Sequence, residues 1–129
     1  MACAALFRSE PPPFVVSPLV LAEACYLIGK FGSADNEATF LRGMARHPFQ
    51  LEPLSTADLE RMAELVAQYG DLRLGGTDAS VVVLGERLGL TRLATLDRRD
   101  FSVVRPRHTE AFELLPAPTG PRRTPRTAT

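Results

Sequence analysis

The chain has 129 residues, 45% of them hydrophobic, and its 15 basic residues are balanced by 15 acidic ones. This length and apolar content predict a single domain with a packed core and argue against a disordered chain. The zero formal charge gives no reason to expect a strongly charged partner.

The cysteines and the apolar stretches indicate in which cellular compartment the protein is expected. Cys3 and Cys25 form neither a disulfide framework nor a metal-binding spacing, and Cys25 is predicted to be a reduced core residue. The longest apolar stretch is too short to span a membrane, and the first residues lack the pattern of a signal peptide. The sequence therefore predicts a soluble cytoplasmic protein without a membrane partner.

The first half of the chain predicts a strand followed by two helices. Residues 14–16 are strand-like, and Ser17 and Pro18 then begin a helix that runs to about Phe31. This helix is apolar nearly all round, which predicts burial on most of its faces. A weaker helix follows over residues 33–46. Its predicted inner face consists of Phe40, Leu41, Met44 and Ala45.

The second half continues the alternation of strands and helices. Residues 49–54 predict an edge strand, and a capping box at residues 55–58 begins a helix that ends at Gly70. The inner face of this helix is predicted from helical spacing. Its members are Leu59, Met62, Ala63, Val66 and Tyr69. The later elements are a helix at residues 78–88 with Thr77 as its N-cap, a strand at 91–96, a loop at 97–100 and a strand at 111–115.

This order of elements predicts the fold class and the domain boundaries. Strands that alternate with helices indicate an α/β domain, here over residues 1–115, with a parallel sheet covered on both faces. Residues 116–129 are dominated by Pro, Thr and Arg and are predicted to form a disordered tail.

Three acidic residues lie within or beside apolar stretches, where a carboxylate is costly unless it is paired or binds a metal. They are Glu23 within residues 19–28, Asp78 at the start of residues 77–84 and Asp97 at the end of residues 93–97. Asp97 follows a predicted strand and Asp78 opens a predicted helix. Both are therefore expected at the carboxyl edge of the sheet, where sites form in such folds.

A cluster of carboxylates favours Mg²⁺, with Mn²⁺ as the alternative, over zinc. Such ions can hold an attacking water and stabilise a leaving oxygen on phosphorus, so the predicted reaction is phosphodiester hydrolysis. Structural explanations stay open: Asp78 can complement a helix dipole and Asp97 can start a turn. Only Glu23 has no local structural reason for its position.

Other polar residues offer weaker candidates. Arg98 and Arg99 could contact a phosphate, or they could simply form a solvated loop pair. His47 and His108 lie in polar segments and are predicted to be surface residues.

Three segments carry a resemblance to a known family. Residues 16–23, 77–80 and 90–101 read VSPLVLAE, TDAS and LTRLATLDRRDF. They resemble the PIN domain of VapC-like toxins from type II toxin–antitoxin systems, and the resemblance extends from about Phe14 to Leu115. It implies an α/β/α sandwich with a parallel sheet and a Mg²⁺-dependent ribonuclease that acts on RNA and is neutralised by a cognate antitoxin. A homodimer is a further option.

The resemblance also implies roles for individual residues. Glu23, Asp78 and Asp97 match the family's metal-binding catalytic acids. Thr77 and Thr95 match neighbours that line the pocket, and Asp100 matches a further acid.

One family feature is missing from the sequence. PIN domains begin with a hydrophobic strand that ends in Asp and lies at the centre of the sheet, whereas this chain has no Asp before Asp35. The expected fold therefore lacks its first, central strand. Two explanations stay open: the natural protein extends upstream of Met1, or the chain is a degraded remnant.

Two other functions are compatible with the sequence. One is a non-catalytic PIN-like module that binds antitoxin or RNA without cleavage. The other is a receiver-like signalling domain, which also clusters acids around Mg²⁺. A receiver-like domain needs a Lys near its pocket, and Lys30 is placed towards the end of a helix.

Overall fold

The computed structural model describes residues 13–94 and 98–115, with only the backbone of residues 98–100. In these residues short strands alternate with helices. The strands are β1 (Phe14–Val16), β2 (Phe49–Leu51), β3 (Arg92–Ala94) and β4 (Glu113–Leu115). The helices are α1 (Pro18–Phe31), α2 (Ala34–Met44), α3 (Thr56–Gln68), α4 (Gly76–Leu88) and α5 (Arg98–Val103), with a 3-10 turn at Gly70–Leu72.

The strands form two parallel pairs. β1 pairs with β2, with Phe14 opposite Phe49, and β3 pairs with β4, with Arg92 opposite Glu113. Parallel neighbours need a crossover connection, and α1 and α2 supply it for the first pair. Within residues 13–94 and 98–115 no strand joins the two pairs. Among the described residues, the strands therefore form two separate parallel pairs.

Local sequence signals set several helix ends. The Ser17 hydroxyl accepts a hydrogen bond from the Leu19 amide, and Pro18 occupies the first position of α1. At the start of α3, Ser55 and Asp58 form the predicted capping box, in which each side chain bonds the other's backbone amide. α4 ends at Gly89, whose φ of 68° is the left-handed conformation that glycine tolerates best.

The hydrophobic core lies around α3 and α4. Its buried side chains are Met62, Leu65, Leu74, Ala79, Val82, Val83, Phe101, Val104 and Phe112. Full burial of an aliphatic side chain contributes about 1.5–3 kcal/mol, so these residues are the main source of stability among the described elements.

The inner face of α3 differs from the predicted one. Leu59 is 55% exposed and Val66 is 37% exposed, whereas Met62 and Leu65 are buried. Asp58 is also buried, and positions 58, 62 and 65 share one side of a helix. Asp58 can lie on this inward side because it caps α3 and pairs with Arg87 of α4, and the apolar spacing alone could not show that.

The prediction that α1 is buried on most faces is wrong. None of its residues is buried, and Tyr26 and Phe31 are 64% and 77% exposed. The described part of the chain packs mainly α2 and α4 against it, so one side of α1 is covered and the rest faces outward. Cys25 is accordingly only half-buried.

The predicted inner face of α2 is also only partly correct. Phe40 and Met44 are half-buried, whereas Leu41 is 42% exposed and Ala45 is exposed. α2 packs mainly against α1 and β2, and neither neighbour covers its full apolar side.

Further differences concern loops and histidines. α4 begins two residues earlier than predicted, because extended Gly75 is its N-cap and Thr77 lies inside the first turn. Residues 98–100, predicted as a loop, belong to α5. His47 is exposed as predicted, but His108 is half-buried, bonded to the Leu90 carbonyl oxygen and tilted against Phe112.

Two predictions remain, one on the chain termini and one on membrane-spanning helices. Residues 116–129, predicted to be a disordered tail, lie outside the described residues, as does the segment before residue 13. No helix within the described ranges is both long enough and apolar enough to cross a membrane.

Candidate metal-binding site

Two of the three predicted catalytic acids are among the described residues. Glu23 lies in the second turn of α1 and is exposed, and Asp78 lies in the first turn of α4 and is half-buried. Thr77, beside Asp78, is also half-buried. Asp97 and Thr95 lie outside the described residues, and only the backbone of residues 98–100 is described, which covers Arg98, Arg99 and Asp100.

The exposure of Glu23 corrects the expectation that it is a buried acid. Because Glu23 is exposed, its carboxylate does not incur the cost of burial. Glu23 is therefore not a buried acid in need of a partner. An exposed carboxylate is nevertheless accessible to a cation.

A buried hydrogen bond joins the helices that carry the two acids. The Oγ atoms of Ser17, the N-cap of α1, and Ser80 of α4 are 2.5 Å apart. The Ser80 hydroxyl donates to the Thr77 carbonyl oxygen at 2.6 Å, which leaves the Ser17 hydroxyl to donate to Ser80. The starts of α1 and α4 are therefore held together.

Helical geometry places each acid relative to the core. Glu23 lies one turn after Leu19, which packs against the core, so the two residues share a side of α1. Asp78 lies one turn before Val82, which is fully buried, so these two share the inner side of α4. Both acids thus project from the sides of α1 and α4 that carry core contacts.

The chemistry of these donors suits a hard divalent cation. Carboxylate oxygens are the ligands that Mg²⁺ and Mn²⁺ prefer, and Mg²⁺ is commonly held by one or two carboxylates together with water and substrate phosphate. Within the described residues no three His, Cys, Asp or Glu side chains gather in a group suited to a metal ion. Glu23 and Asp78 stay predicted ligands of a set whose third predicted member is Asp97.

The positive end of the α4 dipole gives Asp78 a second explanation. Asp78 lies in the first turn of α4, where a carboxylate is stabilised by the helix N-terminus. This structural role and a ligand role are compatible, because a carboxylate has two oxygen atoms and several lone pairs.

Ion pairs that the sequence did not reveal hold α3 and α4 together. Arg61 of α3 pairs with Glu86 of α4 at 2.9 Å, and Arg87 of α4 pairs with Asp58 of α3 at 3.2 Å.

Burial alone would raise the pKa of Asp58, but its hydrogen bonds with Ser55 and the charge of Arg87 lower it overall. Burial likewise opposes ionisation of Glu86, and the bonds from Arg61 and the Arg107 amide still lower its pKa.

The sequence does carry a signal for two of the residues in these contacts, Glu86 and Ser80. Glu86 directly follows the buried stretch of α4, which is the same criterion that identified Asp78. Ser80 is a polar residue beside a run of valines, and this also marks a buried polar group in need of a partner. Its partner, Ser17, is 63 residues away, so no local pattern could have revealed it.

Comparison with known proteins agrees with this architecture. The PIN domain family model matches residues 1–105. Ribonuclease VapC26 of Mycobacterium tuberculosis is 38% identical over 108 residues, which cover 84% of this chain and 80% of that protein. The crystal structure of Mycobacterium tuberculosis VapC20, described as a sarcin–ricin loop cleaving toxin, matches with a TM-score of 0.69 at 16% identity. The match covers 76% of this chain and 75% of that one.

These matches establish the family. The chain belongs to the PIN-domain family and, within it, to the VapC-like proteins. The likeness to VapC20 shows the fold, and it confirms the PIN-like α/β architecture with parallel strands that the sequence predicts.

Proposed function

We propose that this chain is a metal-dependent endoribonuclease toxin that hydrolyses phosphodiester bonds in RNA. The observation that carries the proposal is the 38% identity to a protein named as a ribonuclease, over 80% of that protein's length. The VapC20 likeness adds that the same fold occurs in a toxin described as cleaving RNA.

The proposed site consists of Glu23, Asp78 and Asp97. Their carboxylates would hold Mg²⁺, or Mn²⁺ in its place, and a bound ion of this kind activates water and stabilises charge on the leaving oxygen. Asp78 lies at the positive end of α4, where an anionic phosphate is also favoured.

The remaining sequence candidates have supporting roles in this proposal. Thr77 and Thr95 would line the pocket, Asp100 would be a further acid, and Arg98 and Arg99 would contact substrate phosphate. The sequence supports the last role, because Arg98 and Arg99 directly follow Asp97.

The proposed partners follow from the family. We propose a cognate antitoxin as the neutralising partner, RNA as the substrate and the cytoplasm as the compartment where both occur. A homodimer is the further assembly to be tested, by measuring the mass of the chain in solution.

The test is RNA cleavage by the full chain with Mg²⁺, with Mn²⁺ and with a chelator. Asp78→Asn keeps the size of the side chain but removes its charge, so cleavage should fall by about a hundredfold or more, as for removal of a group that stabilises the transition state. Asp71→Asn, in the exposed 3-10 turn, is the matched control and should cleave normally. Undiminished cleavage by Asp78→Asn would overturn the assignment.

A second candidate is a PIN-like module that binds RNA or antitoxin without cleaving. The exposure of Glu23 favours it, because an exposed carboxylate is a weaker ligand than a preorganised one. Binding of RNA without turnover, in either metal, would support this candidate over the nuclease.

A further inference from the structure

We infer that the hydrogen bond between Ser17 and Ser80 is a positioning device for the acidic site, and that it fixes Glu23 of α1 relative to Asp78 of α4. This inference rests on the proposed function, because it assigns the bond a role in cation binding. Ser17 and Ser80 are positioning residues, and neither is proposed to touch the metal or the substrate.

The bond is buried, and its direction follows from the acceptor that the Ser80 hydroxyl uses. Ser17 is 4% exposed and Ser80 is 0% exposed. The Leu19 amide donates to the Ser17 oxygen, the Ser17 hydroxyl donates to Ser80, and the Ser80 hydroxyl donates to the Thr77 carbonyl oxygen. We refer to these three hydrogen bonds as the relay. A buried hydroxyl that loses its partner is unfavourable, so the relay favours one arrangement of the two helices.

The relay lies close to both acids along rigid elements. Ser17 precedes Glu23 by six residues, which is about 9 Å along a helix axis. Ser80 follows Asp78 by two residues in α4. A helix moves as a unit, so a shift of α1 at Ser17 displaces Glu23 relative to Asp78.

Apolar contacts alone would attach α1 without fixing its position. Leu19 packs against the core, and the rest of α1 is half-buried or exposed. Hydrophobic contact is non-directional, whereas a hydrogen bond restricts distance and angle. The hydroxyl pair therefore supplies the geometric restraint that the sparse apolar packing of α1 does not.

The experiment measures Mn²⁺ affinity of the full chain from the electron paramagnetic resonance signal of free Mn²⁺, so that the readout is independent of RNA cleavage. Ser80→Ala retains the Ser17 N-cap and removes the relay. We expect it to weaken Mn²⁺ binding by about tenfold, at the low end of the effect of groups that support metal ligands. Ser17→Thr keeps a hydroxyl and a helix cap and should bind Mn²⁺ like the wild type.

Two further variants separate positioning from general stability. Ser33→Ala removes the N-cap of α2, whose hydroxyl makes no contact with α4 among its described bonds. It should lower the unfolding temperature and leave Mn²⁺ affinity unchanged. The double variant Ser17→Ala with Ser80→Ala should bind Mn²⁺ no more weakly than the weaker single variant, because both remove the same bond.

Each outcome decides a separate question. Wild-type affinity in Ser80→Ala would overturn the positioning role and leave the proposed nuclease intact. An equal loss in Ser80→Ala and Ser33→Ala would assign the bond to stability alone and also overturn it. Failure of the wild-type chain to bind Mn²⁺ at millimolar concentration would overturn the proposed metal site and the positioning role together.

Discussion

The Arg61 guanidinium donates two parallel hydrogen bonds to the Glu86 carboxylate, from Nε to Oε1 and from Nη2 to Oε2, each 2.9 Å long. The side chains are only 14% and 10% exposed, and Glu86 also accepts a bond from the Arg107 amide at 2.7 Å. One carboxylate thus joins α3, α4 and the segment before β4.

The first prediction concerns this pair. Glu86→Gln keeps the shape of the side chain but removes the largely buried charge opposite Arg61, which retains the more exposed Glu64 as a counter-charge. The free energy of unfolding should fall by about 3 kcal/mol, as for other broken buried pairs. Chemical denaturation measures this loss.

The exposed pair between Arg92 and Glu113 provides the control. Its side chains are 48% and 59% exposed, so Glu113→Gln should cost less than about 1 kcal/mol. Equal costs for Glu86→Gln and Glu113→Gln would contradict the role assigned to burial.

The second prediction is a loss of stability in acid. The pKa of Glu86 is below its usual 4.5 and that of Asp58 is below its usual 3.8, so the unfolded chain takes up protons at a higher pH than the folded chain. The stabilisation is present above those usual values and is lost as the pH falls through the lower folded values. Denaturation between pH 3 and pH 7 should show this decline, and Glu86→Gln should make it shallower.

The third prediction contrasts two glycines in helices. A Cβ atom at Gly85 would lie 2.8 Å from Cε1 and 2.9 Å from Cζ of Phe112, whereas one at Gly43 would meet nothing within 4 Å. Gly85→Ala should therefore destabilise the fold by about 1–3 kcal/mol through overpacking. Gly43→Ala should be neutral or stabilise by up to about 1 kcal/mol because alanine favours the helix.

The midpoint of thermal unfolding distinguishes these glycine variants. A stabilised Gly85→Ala would show that the Phe112 ring moves aside at little cost. That result would contradict the close packing of α4 against the segment before β4.

The fourth prediction tests the exposure of α1. Phe31 is 77% exposed and Leu65 is fully buried. Phe31→Ala should change the free energy of unfolding by less than about 0.5 kcal/mol, whereas Leu65→Ala should cost about 2–5 kcal/mol. A large loss for Phe31→Ala would restore the buried helix that the sequence suggested.

Local signals in the sequence locate several of the helix ends. Ser17 with Pro18, the box of Ser55 with Asp58, and Gly89 all act within a few residues, so one sequence suffices to recognise them. The parallel α/β fold followed from the order of the elements, and the family from three short motifs.

Burial and long-range pairing were harder to predict. The apolar content of α1 shows what the helix contains but not how many neighbours cover it, so Glu23 was wrongly expected to be buried. The bonds of Ser17 to Ser80 and of Arg61 to Glu86 join distant residues. Their partners become evident only once α1, α3 and α4 are packed.

The uneven core has a consequence for local unfolding. Apart from Ser17, every buried residue in the described part of the chain lies at position 58 or later. The three-residue pairing of β1 with β2 and the half-covered helices α1 and α2 therefore oppose opening much less than α3 and α4 do. Amide protons of α1 and α2 should exchange with solvent through an opening that leaves α3 and α4 folded. This opening must break the buried hydrogen bond between the Ser17 and Ser80 hydroxyls.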